Sequence, residues 1–577
     1  MITLRKSAAL TLSVLMLAAC SEKTPEQPAT APAPVAASDP ATTIYANGNI
    51  ITVNEQHPTA EAVAVRDGKI LAVGSQVEVE TAAGDNTTLK DLQGHTLLPG
   101  FIDGHGHITY TNQLQLSANI ASPPVGQVED INGLVAALKA HQQAYPQSPW
   151  VVGFGYDDSL MTEKRHPTRA ELDQVSTELP VAVTHVSGHL MSCNSRCLEF
   201  IGINADTANP AGGIIRRQAG SSEPDGVLEE TAMYIAMKAM PAPDLALLVK
   251  LMAKTQRDYA SYGITTVQDG AASSETIGLL KATAQQGGLY LDVVAYPHNS
   301  IGLEGMKKHP PSKTYDNGFR VGGIKLTLDG SPQGKTAWLT KPYFHPPHGQ
   351  AEGYVGYPSM TDEQVQEYVN YAYSNNIQLL AHANGDAASD QMLKTTRAAR
   401  EQFGDADRRA VMIHAQTVRE DQIDGMLEEG IIPSYFVAHT FYWGDWHRDS
   451  VFGEERASRI SPLRSSTDKG LRYTIHNDTP VVPADMMRLL WTAVNRVTRS
   501  GKVLGTEQRA TVMEGIRGMT IDGAYQFFEE DSKGSIEVGK RADLIVLDQN
   551  PLETDPMLIK DIAILETIKD GNTVFSR

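Results

Sequence analysis

Between about residue 100 and residue 530, short apolar runs alternate with longer stretches that have helical periodicity. The apolar runs number eight and lie at residues 97–102, 265–267, 291–295, 323–327, 378–381, 411–413, 431–437 and 473–475. Helix-like stretches, among them residues 362–374, 389–403 and 420–429, separate most of these runs. Strands that alternate with helices form parallel βα units, and eight such units predict an α/β fold of the (β/α)8 TIM-barrel type.

The two ends of the chain carry a different pattern of short β-like runs broken by turns. Near the N-terminus, Asp67-Gly68 separates two such runs, and this dipeptide is a strong β-hairpin signal. Residues 542–548 and 568–574 repeat the pattern near the C-terminus. Because neither end has enough strands for an independent sheet, we predict a small composite β-sandwich built from residues 41–100 and 530–577. The barrel domain then covers residues 101–529.

The segment that follows the first apolar run is too long to be a single loop. It extends over about residues 110–250 and contains a helix-like stretch at residues 133–144. Structureless connections of this length are rare within compact domains, so we predict a large inserted subdomain after the first barrel strand.

The first 40 residues have the features of an export signal followed by a tether. A short basic start precedes the apolar residues 8–19, which are too few to span a bilayer, and the segment ends at Cys20. The run Leu17-Ala18-Ala19-Cys20 is similar to a bacterial lipoprotein signal, so residues 1–20 are predicted to be that signal and Cys20 the site of lipidation. An ordinary signal peptide is the alternative. Residues 21–40 are rich in Pro, Ala, Ser and Thr and are predicted to be a disordered tether.

This N-terminus predicts a protein that is held at the bacterial cell envelope, in the periplasm or at the outer membrane, and contacts the membrane only through its lipid anchor. The formal net charge of −19 argues against a nucleic-acid partner, since such proteins present basic surfaces. Cys193 and Cys197 remain open between a disulfide and two buried thiols. A homo-oligomer is also left open.

Candidate metal ligands lie in or after the apolar runs, in a fixed order along the chain. His105 and His107 come directly after the first run, two residues apart, and two such residues point to the same face of a strand. The remaining candidates are Lys325 in the fourth run, His382 after the fifth, His414 after the sixth and Asp478 after the eighth. In (β/α)8 barrels, functional side chains gather at the carboxyl ends of the strands. This order predicts a metal-dependent hydrolase.

Several longer motifs strengthen this interpretation. They are Leu97-Leu98-Pro99-Gly100-Phe101-Ile102-Asp103-Gly104-His105-Gly106-His107, the run His-Ala-Asn-Gly-Asp-Ala-Ala at residues 382–388, Gly539-Lys540-Arg541-Ala542-Asp543-Leu544, Pro167-Thr168-Arg169 and Gly188-His189. In combination they resemble the amidohydrolase superfamily, and within it the YtcJ-like branch, amidohydrolase family 3. The resemblance covers nearly all of the chain from Thr43 to Arg577. One departure is the sequence His476-Asn477-Asp478, which keeps the aspartate of the branch but changes its neighbours.

The resemblance implies a site for two divalent metal ions, most often Zn²⁺. His105 and His107 are expected to hold one metal, and His382 and His414 the other. Lys325, carboxylated by carbon dioxide, is expected to bridge them. Asp478 is expected to bind the first metal and to transfer the proton during catalysis. Neutral imidazoles suit Zn²⁺, and a lysine becomes a ligand only when it is no longer protonated.

Other residues are assigned looser roles. His439 is expected to help stabilise the oxyanion, and His189 and His476 to contact substrate or oxyanion. Asp386 is open between an orienting role and a helix cap. The aromatic residues at 434–446 either line the substrate pocket or plug the barrel mouth.

The predicted activity is hydrolysis of an amide-type C–N bond, other than a peptide bond, in a small-molecule substrate by metal-activated hydroxide. Two alternatives remain open at this point. The same site can serve a lactone or ester hydrolase, and the chain can be a non-catalytic or regulatory surface lipoprotein, for example one that regulates exoenzyme production.

Overall fold

The computed structural model describes residues 39–347 and 349–577. The predicted signal segment, the lipidation of Cys20 and nearly all of the predicted tether therefore lie outside the described residues. Within the part of the chain that the structure describes, no helix is both long enough and apolar enough to cross a membrane.

Eight parallel strands form the barrel and confirm the predicted fold class. In chain order they are Phe101–Ile102, Ile264–Ala272, Asp292–Pro297, Phe319–Val321 continued by Gly323–Thr327, Gln378–Ala383, Val411–His414, Ile432–Tyr435 and Thr474–Ile475. Each strand pairs with the next in parallel register. The fourth strand is interrupted at Gly322, where an added Cβ would meet the ring of Tyr296.

Backbone contacts close the ring of strands between the eighth and the first. The Asp478 N–H donates to the His105 carbonyl at 3.0 Å, and the His107 N–H donates to the Thr479 carbonyl at 2.8 Å. This seam therefore joins the segment that carries Asp478 directly to the segment that carries the first two histidines.

One strand prediction needs correction. The apolar run at residues 97–102 was expected to be a single barrel strand, but it is divided at Gly100. Thr96–Pro99 belongs to the composite sheet, where it pairs with Leu544–Leu547, and only Phe101–Ile102 belongs to the barrel. Gly100 packs against Thr265, with no room for a Cβ. Because both halves are buried and apolar, the sequence pattern shows no boundary between them.

Both ends of the chain contribute to one eight-stranded sheet. Its order is Asn572–Ser576, Ile564–Lys569, Leu544–Leu547, Thr96–Pro99, Thr43–Ile51, Thr59–Arg66 and Lys69–Gly74, with Thr88–Asp91 also paired to Thr43–Ile51 and the short helix Gln76–Glu80 following. The predicted hairpin is confirmed: Asp67 and Gly68 have φ of 50° and 74°, as a two-residue turn of this type requires.

A second sheet lies in the insertion. Its six strands run in the order Gly213–Arg217, Pro224–Glu230, Leu190–Cys193, Val181–His185, Val151–Tyr156 and Ala118–Asn119. Its helices are Ile108–Leu114, Ile131–Ala144, Arg169–Leu172, Ser195–Phe200 and Met233–Ala239. The structure joins Cys193 and Cys197 in a disulfide, which resolves the alternative that the sequence left open.

Helices surround the barrel strands. They are Leu245–Ala260, Ser274–Gln285, Gly302–Lys307, Asp362–Ser374, Asp386–Phe403, Glu420–Glu429, Ala438–Trp446, Glu454–Ser458, Leu463–Asp468, Met486–Asn495, Val512–Gly518 and Ile521–Gln526, with a π-helical turn at His447–Val451 and 3₁₀ turns at Asn299–Ile301, Thr506–Gln508 and Pro556–Asp561. The helices predicted at residues 362–374 and 420–429 have the expected bounds. The helix predicted at residues 389–403 begins three residues earlier, at Asp386.

Buried charges tie the barrel to the C-terminal segment. Asp292, at the start of the third barrel strand, lies 2.5 Å from Lys533 Nζ, 3.0 Å from Arg541 Nη1 and 3.2 Å from Lys569 Nζ. Burial raises the pKa of Asp292, but these cations outweigh burial and hold the pKa below its ordinary value.

Replacing Asp292 with Asn should lower the free energy of unfolding by about 1.5–3 kcal/mol, because three buried cations lose their charge-assisted contacts with it. Each cation keeps another carboxylate: Lys533 keeps Glu529, and Arg541 and Lys569 keep Asp543 and Asp570. Urea unfolding at neutral pH measures this loss. Asp258→Asn, which breaks an exposed pair with Lys254, is the matched control and should cost less than about 1 kcal/mol. Since the folded pKa is depressed, the stability that Asp292 contributes is present at neutral pH and falls as the pH drops below the ordinary aspartate range. Equal effects of the two substitutions would contradict this account.

Candidate metal centre

Six predicted ligands meet at the carboxyl-terminal mouth of the barrel. His105 and His107 follow the first strand, Lys325 lies in the fourth, His382 in the fifth, and His414 ends the sixth. Asp478 follows the eighth strand. All are buried except His107, whose side chain is 21% exposed. The site therefore lies where barrel enzymes place their chemistry.

The first set of ligands is centred on Asp478. His107 Nε2 lies 3.1 Å from Asp478 Oδ1, and His105 Nε2 lies 3.5 Å from the same oxygen. Lys325 Nζ is 3.2 Å from His105 Nε2. Two ligand atoms of a tetrahedral zinc site lie about 3.3 Å apart, since each bond is about 2.0–2.1 Å. These separations fit a shared divalent metal.

The second set is formed by His382 and His414. His382 Nδ1 and His414 Nε2 are 3.1 Å apart, and His414 Nε2 is 3.9 Å from Asp478 Oδ2. Asp478 thus faces both sets. The ligand atoms of His105, His414 and Asp478 form one compact group within 4.8 Å.

Hydrogen bonds behind the rings determine which nitrogen faces the centre. Gln268 donates its amide N–H to the Gly104 carbonyl, so its Oε1 accepts from His105 Nδ1 at 2.5 Å. His105 Nε2 is then left with a free lone pair. His382 Nε2 donates to the Gly330 carbonyl at 3.2 Å, which leaves the lone pair of Nδ1 facing His414. Metal-binding histidines are typically oriented in this way, so the donor set fits a divalent metal.

Burial keeps these imidazoles neutral. It lowers the pKa of His105, His382 and His414 well below the ordinary histidine value, and the positively charged Lys325 adds to the effect at His105. Burial also lowers the pKa of Lys325 to about 7. Neutral nitrogen atoms are the form that binds a metal.

Asp478 is held in the ionised form. Burial raises the pKa of Asp478, but the hydrogen bond with His107 and the charges of His107, His476 and Lys325 lower it below its ordinary value. Both Asp478 and His414 adopt left-handed backbone conformations, with φ of 55° and 71°. Strain of this kind at non-glycine residues is common in functional sites.

The three other predicted histidines have different surroundings. His189 lies at the mouth, with its ring 4.9 Å from that of His382 and its Nδ1 2.8 Å from Glu230 Oε2. Burial lowers the pKa of His189, but Glu230 outweighs burial and raises it. The ring of His439 lies 6.0 Å from that of His414.

The structure does not support a substrate contact for His476. Its Nδ1 lies 2.9 Å from Ser434 Oγ, and its Nε2 lies 3.2 Å from His414 Nδ1. With both nitrogens engaged and no exposed surface, the ring orients His414 from behind. In the sequence His476-Asn477-Asp478, the histidine therefore faces away from the barrel mouth, and only the aspartate faces the other ligands.

Sequence reasoning missed several residues around the site. His298 follows the third strand and lies 2.9 Å from Thr327 Oγ1, and its position after a strand was a usable signal. Asp329, after the fourth strand, accepts hydrogen bonds from the backbone N–H groups of Asn384 and Gly385 at 3.0 and 2.8 Å.

Asp386, which the sequence left open between an orienting role and a helix cap, does not reach the centre. It accepts a hydrogen bond from the Thr340 N–H at 2.8 Å and pairs with Arg419.

Comparison with known proteins agrees with this geometry. A family model described as the amidohydrolase family matches residues 88–575. The chain is 28% identical over 542 residues to an N-substituted formamide deformylase from Arthrobacter pascens, covering 92% of this chain and 98% of that protein. It is 25% identical over 548 residues to the putative amidohydrolase YtcJ from Bacillus subtilis (strain 168), covering 92% and 99% of the two chains.

Solved structures show the same fold. The crystal structure of an uncharacterized metal-dependent hydrolase from Pyrococcus horikoshii OT3 superposes with a TM-score of 0.70 at 23% identity, covering 89% of this chain and 99% of that one. The chain therefore belongs to the amidohydrolase family, in its YtcJ-like branch, and is a hydrolase of carbon–nitrogen bonds other than peptide bonds.

Proposed function

We propose that this protein hydrolyses the amide bond of small N-acylated amines, with N-substituted formamides as the first class of substrate to examine. The arrangement of lone pairs supports the proposal most directly. His105 and His382 are each fixed by a partner behind the ring, so that the opposite nitrogen faces Asp478 or His414. The name of the formamide deformylase relative suggests the substrate class.

Two divalent metals, with Zn²⁺ as the first candidate, are proposed as cofactors. His105, His107 and Asp478 would hold one, and His382 and His414 the other. Lys325, carboxylated by carbon dioxide, would join the two sets. Bound divalent metal would make a water molecule acidic enough to attack near neutral pH and would polarise the scissile carbonyl.

The residues of the chain account for the proton transfers. Water adds to the amide carbon while Asp478 takes its proton, and the C–N bond then breaks as Asp478 passes that proton to the leaving nitrogen. The second proton of the water also passes to the amine, so the products are a carboxylate, formate in the first class, and a protonated amine. Glu230 raises the pKa of His189, and in the protonated ring Nδ1 donates to Glu230 while the opposite nitrogen donates to the developing oxyanion.

We also propose that the enzyme is tethered at the bacterial cell envelope through a lipid on Cys20. The support is the sequence Leu17-Ala18-Ala19-Cys20 after a short apolar segment. A substrate would then be hydrolysed outside the cytoplasm.

Elemental analysis of the soluble chain that begins after Cys20 tests the metal centre. We expect about two divalent ions per chain after reconstitution with zinc and bicarbonate. Lys325→Ala should lower this content to about one or less, whereas the exposed Lys254→Ala should leave it unchanged. Absence of bound metal in the wild type would contradict the proposal. Full metal content in Lys325→Ala would remove the lysine from the centre.

Asp478→Asn separates proton transfer from metal binding. The amide keeps an oxygen ligand but cannot carry the proton, so kcat for an N-substituted formamide should fall by at least about 100-fold. Metal content should stay near the wild-type value. Near-normal turnover with metal retained would exclude Asp478 as the proton carrier. If a matched lactone or ester is turned over and the formamide is not, the reaction is ester hydrolysis.

Gly270→Ala tests whether the orientation of His105 matters. An added Cβ would meet the His105 ring and lie 2.7 Å from Gln268 Oε1, so it should displace the ring from Asp478. We expect loss of about one metal ion per chain, measured together with thermal unfolding. Gly278→Ala, at an open position within the helix Ser274–Gln285, is the matched control and should keep its metal. Equal metal content in the two variants would overturn the role of this contact.

A further inference from the structure

The ring of His476 lies behind His414, one of the predicted metal ligands. His414 ends the sixth barrel strand, and His476 follows the eighth, Thr474–Ile475. Within a (β/α)8 barrel, the side chains of one interior layer come from alternate strands, so these two rings meet inside the barrel. His476 Nε2 lies 3.2 Å from His414 Nδ1, the nitrogen that faces away from the other ligands.

Ser434, from the seventh strand, extends this contact into a chain of hydrogen bonds. Its Oγ lies 2.9 Å from His476 Nδ1, on the side of the ring opposite His414. At the other end of the chain, His414 Nε2 faces His382 Nδ1 at 3.1 Å. His382 Nε2 donates to the Gly330 carbonyl at 3.2 Å. The chain therefore connects a serine hydroxyl to a backbone carbonyl through three imidazoles.

The protons of this chain can be arranged in two ways. In the first, the Ser434 hydroxyl donates to His476 Nδ1, and His476 Nε2 donates to His414 Nδ1. His414 then carries its proton on Nε2 and donates to His382 Nδ1. In the second, His414 Nδ1 donates to His476 Nε2, and His476 Nδ1 donates to Ser434 Oγ. Every imidazole is neutral in both cases, so the two arrangements hold the same number of protons.

The second arrangement is the one that suits a metal. A proton on His414 Nε2 occupies the position that faces the other ligands, whereas a proton on Nδ1 leaves a lone pair there. His414 is therefore a ligand when His476 accepts its hydrogen bond. His476 can accept through Nε2 only if its own proton lies on Nδ1, where Ser434 is the acceptor.

The two other histidines with a partner behind the ring have partners that cannot reverse. The Gln268 amide group is fixed by its hydrogen bond to a backbone carbonyl, so its oxygen faces His105 Nδ1. The Gly330 carbonyl behind His382 has no proton to donate. An imidazole nitrogen, by contrast, donates in one tautomer and accepts in the other. Of these three rings, His414 is the one whose tautomer depends on a partner that can change.

Packing holds the His476 ring in place and keeps it neutral. The ring has no exposed surface, stacks on Phe436 with the ring centroids 5.5 Å apart, and meets the His105 ring edge-on at 5.3 Å. Burial lowers the pKa of His476 to about 3, although the charge of Asp478 acts in the opposite direction. A neutral ring has one nitrogen that accepts, which is what His414 Nδ1 requires.

We propose that His476 is a positioning residue that sets the tautomer of His414, with Ser434 as the final hydrogen-bond acceptor. The proposal rests on the two-metal centre assigned above. It makes the second set of ligands dependent on this relay of Ser434, His476 and His414, whereas the first set does not depend on it. It also gives a role to the histidine by which the sequence His476-Asn477-Asp478 departs from the YtcJ-like branch.

Stepwise zinc affinities of the soluble chain test the relay without turnover. They are measured in bicarbonate against a competing chelator. His476→Phe keeps an aromatic ring against Phe436 and His105 but offers no acceptor to His414 Nδ1. We expect the first zinc ion to bind as in the wild type and the second at least about tenfold more weakly. Equal second affinities in the wild type and in His476→Phe would overturn the proposal.

A polar replacement separates hydrogen bonding from packing. His476→Gln fills the space less well than Phe but supplies an amide oxygen, as Gln268 does behind His105. The second affinity should therefore return to within a few-fold of the wild-type value. His447→Phe, at another histidine with no exposed surface, is the matched control and should bind both ions as the wild type does. If Gln weakens the second ion as much as Phe does, the role of His476 is packing alone and the proposal fails.

Nitrogen NMR gives an independent readout. In protein with ¹⁵N-labelled histidine, the chemical shifts of the two ring nitrogens show which one carries the proton, and the signals of His476 are those lost in His476→Gln. We expect the proton on Nδ1 in the zinc-loaded wild type, and a proton on Nε2 would overturn the proposal. If zinc binding and this tautomer are as expected but no formamide is hydrolysed, the assigned substrate fails and the relay stands. If formamides are hydrolysed and His476→Phe binds zinc normally, the reaction stands and the relay fails.

Discussion

The seam between the last and the first barrel strand determines the geometry of the site. Two backbone hydrogen bonds, from Asp478 to His105 and from His107 to Thr479, close the barrel at this point. They fix the distance between the first pair of histidines and the carboxylate without relying on any side chain. Asp478 then faces His414 with its other oxygen, at 3.9 Å, so the same seam positions the carboxylate toward both sets of ligands. Asp478 and His414 both adopt left-handed backbone conformations, a local strain that the surrounding structure must hold in place.

The ligand residues could be predicted from the sequence because each barrel strand appears there as a short apolar run. Each ligand lies in or directly after an apolar run, and the period of two in a strand places His105 and His107 on one face. The residues that hydrogen-bond to the rear nitrogens of these histidines have no comparable sequence pattern. Gln268 is 163 residues from His105, and its role depends on the side-chain hydrogen bond that it makes with the Gly104 carbonyl. The division of the first run at Gly100 was invisible for a related reason, since a composite-sheet strand and a barrel strand are equally apolar when both are buried.

Two buried carboxylates in this molecule are compensated in different ways, with different physical consequences. Asp292 has three cations within 3.2 Å and serves to join the barrel to the C-terminal segment. Asp478 lies among histidines whose neutral rings suit a metal, and its charge is compensated when a cation binds. Burial penalises the charge of both, so the surroundings of each carboxylate indicate what compensates it.

The histidines show how a fold distinguishes ligands from hydrogen-bond donors. A neutral imidazole has one proton, and the group behind the ring decides which nitrogen carries it. Where a carbonyl or amide oxygen lies behind the ring, as at His105 and His382, the nitrogen that faces this oxygen carries the proton. The opposite nitrogen, which faces the centre, can then bind a metal. At His185 in the insertion, the Ser187 backbone N–H donates to Nδ1. The proton of this ring therefore lies on Nε2, which donates toward Asp158. The barrel histidines therefore suit metal ions, whereas His185 in the insertion directs its N–H at the Asp158 carboxylate, 3.1 Å away.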